Sequence, residues 1–208
     1  MYFQRVLELA FLFCRVLVCY GLMVAFLAAP PVISLNQHLT DGLQGWIRSD
    51  ALLVPRLIPE SARVYSTQEA VEIIWLGKSA KDSFTQNEQG HLQDVHHLIA
   101  WGSFIVGCAV IVSILIEKEV VPQRVVVDVR RVILTLVLLT LLAVTGFSFF
   151  FELFHQVFFP QGNYSFPADS LIIQCFPPLF WMLNLIWLQL GVLVLLRWQA
   201  HHAEKLSI

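Results

Sequence analysis

The stretch LIAWGSFIVGCAVIVSILI, residues 98–116, carries no charged side chain, and its reading decides the fold. Its length matches a helix crossing a hydrocarbon core about 30 Å thick. Three further runs are equally free of charge: Val16 to Leu35, Val132 to Phe151 and Phe176 to Leu196. Runs of this length exceed soluble strands, and a membrane barrel would alternate apolar with polar residues. Backbone amides in lipid need partners within their own segment, so each run is read as a helix. Over the 208 residues 57% are apolar and 13% charged, and the mean hydropathy is +0.70. The chain is therefore read as one integral membrane domain, residues 1–208, an all-α bundle of four transmembrane helices. The expected spans are about 13–35, 95–117, 131–153 and 176–197.

The basic residues orient it. Arg5 and Arg15 precede or open the first span, and Lys118, Arg124, Arg130 and Arg131 lie between the second and third. Arg197 and Lys205 follow the fourth, so that eight of the 13 basic residues gather on one side. The excess of Lys and Arg on cytoplasmic loops makes both termini and the middle connection cytoplasmic. Residues 36–90 and 155–175 are then extracytoplasmic. Ala28-Ala29 resembles a signal-cleavage site, but Pro30 and Pro31 follow it and the apolar run exceeds a usual signal core, so a retained anchor is expected. A net charge of −2 points to no nucleic-acid partner. Cys14, Cys19, Cys108 and Cys175 form no CxxC pair, which supports neither a disulfide framework nor a zinc site.

Residues 36–90 are too long for a connector and are expected to form a small cap. Ser66-Thr67-Gln68-Glu69 and Thr85-Gln86-Asn87-Glu88 both have capping-box spacing, so helices are expected to start there. The second of these runs straight into the second span. Leu35, Leu39, Leu43 and Trp46 form a weak apolar stripe suited to a membrane surface. The loop after the third span, with Pro160, Gly162, Asn163 and Pro167 among Phe158, Phe159, Tyr164 and Phe166, reads as a tight aromatic turn at headgroup depth.

Two clusters carry possible chemistry: His91-Leu92-Gln93-Asp94-Val95 and Glu152-Leu153-Phe154-His155. Each puts a histidine and a carboxylate three residues apart, on one helix face. Both fall at the outer boundary, where they could meet. A histidine titrates near neutrality, and a carboxylate beside it can fix its tautomer, as general acid–base work requires. Glu152 ends a long apolar run, a depth at which ionisable groups tend to be functional. His38, His96, His97, His201 and His202 are read as structural. Gly162 allows a tight turn, and Asn163 is expected to close one side of a pocket and offer amide donors to a carbonyl oxygen. Paired histidines on facing helices also ligate b-type haem, with His91, His97 and His155 as possible ligands, so an electron carrier stays open. A non-catalytic membrane scaffold stays open as well.

His91-Leu92-Gln93-Asp94-Val95 resembles the His-x-x-Asp-Val block of the bacterial lipoprotein intramolecular transacylases. Phe154-His155-Gln156-Val157-Phe158-Phe159, Gly162-Asn163-Tyr164-Ser165-Phe166-Pro167 and Leu171-Ile172 resemble that family's Phe-His-x-x-Phe-Phe…Gly-Asn-Trp-x-Phe…Leu-Ile block. Tyr164 stands in place of the family's Trp, and Pro178 where an acidic residue is expected. The resemblance implies transfer of a fatty acyl chain from the sn-2 ester of the diacylglyceryl group on a lipoprotein's N-terminal cysteine to that cysteine's α-amine. It implies catalytic roles for His91 and His155, with no cofactor or external acyl donor. Asp94 and Glu152 are expected to orient them, and Phe158, Phe159, Gly162, Asn163 and Tyr164 to line the pocket. The expected partners are the lipoprotein and membrane lipid, the expected state a monomer, and the expected location the bacterial cytoplasmic membrane with the site facing outward.

Overall fold

The computed structural model describes residues 2–47, 52–78 and 83–206. The expected cap thus lies partly outside the described residues, and so does the side chain of Lys205. Among the described residues all regular structure is helical. The helices are α1 (Tyr2–Leu27), α2 (Pro30–Gln44), α3 (Glu60–Leu76), α4 (Gln86–Ile116), α5 (Pro122–Thr145), α6 (Phe147–Phe158), α7 (Leu171–Cys175) and α8 (Pro178–Leu206), with a 3-10 turn at Glu117–Glu119.

Helices α1, α4 and α8 are each long and apolar enough to cross a membrane, and α5 with α6 makes a fourth span only if the pair counts as one. The charge-free runs thus mark helices, but the helices do not share their bounds. The first run is cut after Leu27, because Pro30 and Pro31 occupy the first turn of α2. Proline lacks the N–H that would continue α1 but is favoured at a helix start. The third run breaks at Gly146, which precedes α6 with non-helical backbone angles. Glycine is among the poorest helix formers, and an apolar run hides such a break from a hydropathy reading.

The chain divides into two compact units. The first holds residues 1–26, 102–145 and 186–208. Phe11, Leu12 and Cys19 of α1 bury against Val125 and Val129 of α5 and Val192, Leu196 and Ala200 of α8. A Cβ at Gly21 would lie 2.6 Å from Val106, so this glycine lets α1 and α4 approach closely, a common device between membrane helices. Tyr20 donates to Gln189 at 2.9 Å, and Arg5 grips Asp128 through two bonds of 2.6 and 3.0 Å. Phe13, Ile114, Leu138, Leu141 and Val194 point outward, as side chains facing lipid tails would.

The second unit holds residues 27–101 and 146–185. Its core joins Ile33, Ala70, Ile73, Phe84, Leu92, Ile172, Cys175, Phe176 and Phe180. Helix α3 starts at Glu60 rather than at the Ser66 box. Ser66, Thr67 and Glu69 lie buried in its interior, where they cap nothing. The Thr85 box is formed: the Thr85 backbone N–H donates to Glu88 at 2.9 Å, and the Glu88 N–H returns to Thr85 Oγ1 at 3.4 Å. The second Glu88 oxygen accepts the Ile172 N–H at 2.9 Å, so one buried carboxylate fixes the start of α4 and of α7. Gln174, fully buried, accepts from the Leu57 N–H and donates to the Pro55 and Ala168 carbonyls. Helix α2 turns Ile33, Asn36, Gln37 and Thr40 inward, and Leu35, Leu39, Leu43 and Trp46 remain exposed.

Candidate active site

The second unit contains every residue singled out as a site candidate. Helix α4 supplies His91 and Asp94, α6 supplies Glu152, His155 and Phe158, and the loop from Phe159 to Ser170 supplies the rest. The structure brings the two histidines together. Their rings stack with centroids 6.0 Å apart and planes 22° from parallel. Both are buried, at 7% and 8% exposure.

An aromatic shell surrounds the pair. Phe159, almost fully buried, lies 4.7 Å from His91 and 5.5 Å from His155, touching both rings. Phe166 meets His91 at 5.6 Å. Phe151 and Tyr164 meet His155 at 4.3 and 5.1 Å. Phe158 instead packs on Phe154, at 4.8 Å, and is exposed. Shielding of this kind keeps bulk water from the imidazoles and strengthens polar interactions between them and a bound group.

The hydrogen bonds fix roles for individual atoms. His155 Nδ1 lies 2.7 Å from the carbonyl oxygen of Phe151, one turn earlier on α6. A carbonyl only accepts, so Nδ1 carries the proton, and Nε2 of the neutral ring keeps its lone pair. His91 Nδ1 is buried and has no hydrogen-bond partner among the described residues. The orienting contact of His155 thus comes from a backbone carbonyl. Glu152 turns to other partners, accepting from Gln156 at 3.0 Å and from the Tyr164 hydroxyl at 2.9 Å. That bond holds the Tyr164 phenol above its ordinary pKa, because the neutral hydroxyl donates to the carboxylate. Asp94 binds the loop: Gln161 and Asn163 both donate to its Oδ2, at 2.7 and 2.5 Å.

The loop geometry follows from its glycine. Gly162 has φ +80°, a backbone region that L side chains disfavour. Its N–H donates to the Phe159 carbonyl at 3.0 Å, closing the turn. This turn sets Phe159 against the histidines and carries Asn163 to Asp94. The Asn163 amide nitrogen is engaged there, and its Oδ1 is buried without a partner among the described residues. Gln161 and Phe151 belong to this cluster although the sequence reading gave neither a role, and Phe166, read there as part of the aromatic turn, meets His91. The carbonyl four residues before a helical histidine would have pointed to Phe151.

His96 takes a structural position, with Nδ1 2.8 Å from the Ile74 carbonyl. Among the described residues no group of three or more His, Cys, Asp or Glu side chains is arranged to hold a metal ion.

In its fold the chain is similar to the in meso structure of the membrane integral lipoprotein intramolecular transacylase Lit from Bacillus cereus, with a TM-score of 0.72. The two are 13% identical, and the match covers 99% of this chain and 94% of that one. No curated protein sequence matches the chain. Residues 71–181, more than half of the chain and the stretch with both histidines, match the family described as lipoprotein intramolecular transacylase Lit. The chain belongs to that family.

Proposed function

We propose that this protein is a membrane acyltransferase acting within a single lipoprotein molecule. It moves the acyl chain on the sn-2 oxygen of the diacylglyceryl-modified N-terminal cysteine to that cysteine's α-amine, and His91 and His155 serve as the proton-transfer pair. The carrying observation is the stacked, buried histidine pair, with His155 Nδ1–H committed to the Phe151 carbonyl.

The chemistry needs two proton movements. The free α-amine, with a pKa near 8, must lose its extra proton before attack and a second as the amide forms. Its nitrogen adds to the sn-2 ester carbonyl carbon, giving a tetrahedral intermediate with negative charge on oxygen. One imidazole takes the nitrogen's proton. The carbon–oxygen bond to the glyceryl sn-2 carbon's oxygen then breaks, and that oxygen leaves as an alcohol once it receives a proton. The amide bond replaces the ester bond: the ammonium's extra proton has gone to solvent, and the second proton lost by nitrogen ends on the sn-2 oxygen. The free Nε2 lone pair of His155 suits the base, and the proton it takes passes on to the leaving oxygen with the stacked His91 as the neighbouring relay, so that both imidazoles end as they began. Donor and acceptor belong to one molecule, so the aromatic shell's main task is to fold the substrate into attack geometry. No cofactor enters this scheme.

The finer architecture belongs to the same reading: a four-span monomer with α5 and α6 as one broken span, both termini cytoplasmic, and the histidines at the extracytoplasmic boundary beneath a cap. The family match favours this reading over a haem carrier or a scaffold. Mass spectrometry of lipoprotein N-terminal peptides, from cells with and without the chain, tests it. An amide-linked acyl chain paired with a lyso-glyceryl group should appear only with the chain; its absence under expression of folded protein contradicts the activity.

A further inference from the structure

Among the described residues, Asn163 Oδ1 and Asp94 Oδ1 are two acceptors that no described bond uses, the first of them buried. Gln161 and Asn163 both donate to Asp94 Oδ2, and neither bond uses Asp94 Oδ1. The Asn163 amide nitrogen is committed to that carboxylate, which fixes the side-chain flip and leaves Oδ1 as the atom that is buried and unpartnered. A buried acceptor without a donor costs free energy, on the order of 1–3 kcal/mol. A group that supplies N–H donors would remove that cost. The location is narrow. Asn163 precedes Tyr164, whose ring lies on His155, and stands three residues before Phe166, whose ring lies on His91. Its amide nitrogen also comes within 3.8 Å of where a Cβ on Gly90 would sit, next to His91. A carboxylate oxygen and an amide oxygen suit a primary ammonium, which offers three N–H bonds and a positive charge.

We propose that Asp94 and Asn163 form the binding station for the α-ammonium group of the substrate's N-terminal residue. This rests on the transacylase reading of the same site and adds how the amine is selected and aimed. The station holds the charged amine until its extra proton passes to solvent. The acceptors then hold the remaining N–H bonds so that the nitrogen lone pair faces the ester. Gln161 ties the loop to α4 and takes no part in recognition.

Binding, rather than turnover, tests it. The His155→Asn protein, in nanodiscs, is titrated with a diacylglyceryl-cysteine peptide bearing a free α-amine and with a twin in which hydrogen replaces that amine. The free-amine peptide should bind roughly 10- to 100-fold more tightly, as expected for charge-assisted hydrogen bonds. Adding Asp94→Asn or Asn163→Leu should shrink that ratio to within about threefold, whereas adding Gln161→Leu should lower thermal stability and leave the ratio intact. Equal binding of the two peptides by the His155→Asn protein overturns the station, as does a ratio untouched by both substitutions. Failure of the free-amine peptide to bind contradicts the transacylase reading itself. A ratio seen in phosphatidylcholine nanodiscs but erased in phosphatidylethanolamine ones would assign the station to a lipid headgroup's ammonium and overturn its assignment to the peptide.

Discussion

His155 Nδ1 sits 2.7 Å from the carbonyl oxygen of Phe151, and this one contact commits Nδ1 and leaves Nε2 as the free ring nitrogen. The bond reaches back one turn along α6, within the same helix. It fixes the tautomer that the proposed proton transfer needs without any help from a carboxylate.

Glu152→Gln should therefore be mild. Glu152 accepts from Gln156 and Tyr164 and does not hold His155. A glutamine keeps an acceptor for the tyrosine, and Tyr164→Phe keeps the ring against His155. Each should reduce the acyl-transfer rate no more than about tenfold, the worth of one ordinary hydrogen bond. A loss as large as that of a histidine substitution would return Glu152 to a direct role. Initial rates with a synthetic diacylglyceryl peptide measure it.

Gly162→Val should unseat the aromatic turn. At φ +80° a residue with a Cβ costs about 1–2 kcal/mol. Reduced thermal stability in detergent and lower activity should appear together, because the same turn places Phe159 and Asn163. An unchanged unfolding midpoint with full activity would show that the turn is not needed.

Asp41 should give the second unit a dependence on acid. Burial pushes its carboxyl up, but the hydrogen bond from Arg63 and the charges of Arg56 and Arg63 outweigh this and hold it below the ordinary value of 3.8. Arg63 donates to both carboxylate oxygens, at 2.8 and 2.6 Å. A depressed folded-state pKa contributes stability that is complete above the unfolded value and disappears as pH falls through the folded one. The stability gap between the wild type and Asp41→Asn should hold steady above about pH 5 and close below 3.8. Unfolding midpoints across that range test the sign, and a gap that widened in acid would contradict it.

The helical membrane class was legible because four runs lack charge. His91 and His155 stood out because each lies three residues from a carboxylate at the edge of an apolar run, and the turn at Gly162 because Pro160, Asn163 and Pro167 flank it. Three features were hidden, each for a physical reason. The break at Gly146 lies within a run whose hydropathy never falls. The start of α3 at Glu60 precedes a false box at Ser66, since capping-box spacing also occurs inside helices. The partner of His155 is a main-chain carbonyl, which any residue at position 151 supplies. Sequence spacing paired each histidine with a carboxylate. In the fold Asp94 and Glu152 instead tie down loop residues Gln161, Asn163 and Tyr164.

The central claim is that His91 and His155 act as one proton-transfer unit, and a double-mutant comparison tests it most directly. Acyl-transfer rates are measured for His91→Asn, His155→Asn and the double variant, each checked for folding by thermal unfolding in detergent. Each single substitution should lower the rate on the order of 10²- to 10⁴-fold. The double variant should be little slower than the worse single one, because residues that work as a unit do not add. A folded double variant that still forms lyso-form lipoprotein at the wild-type rate would contradict the account.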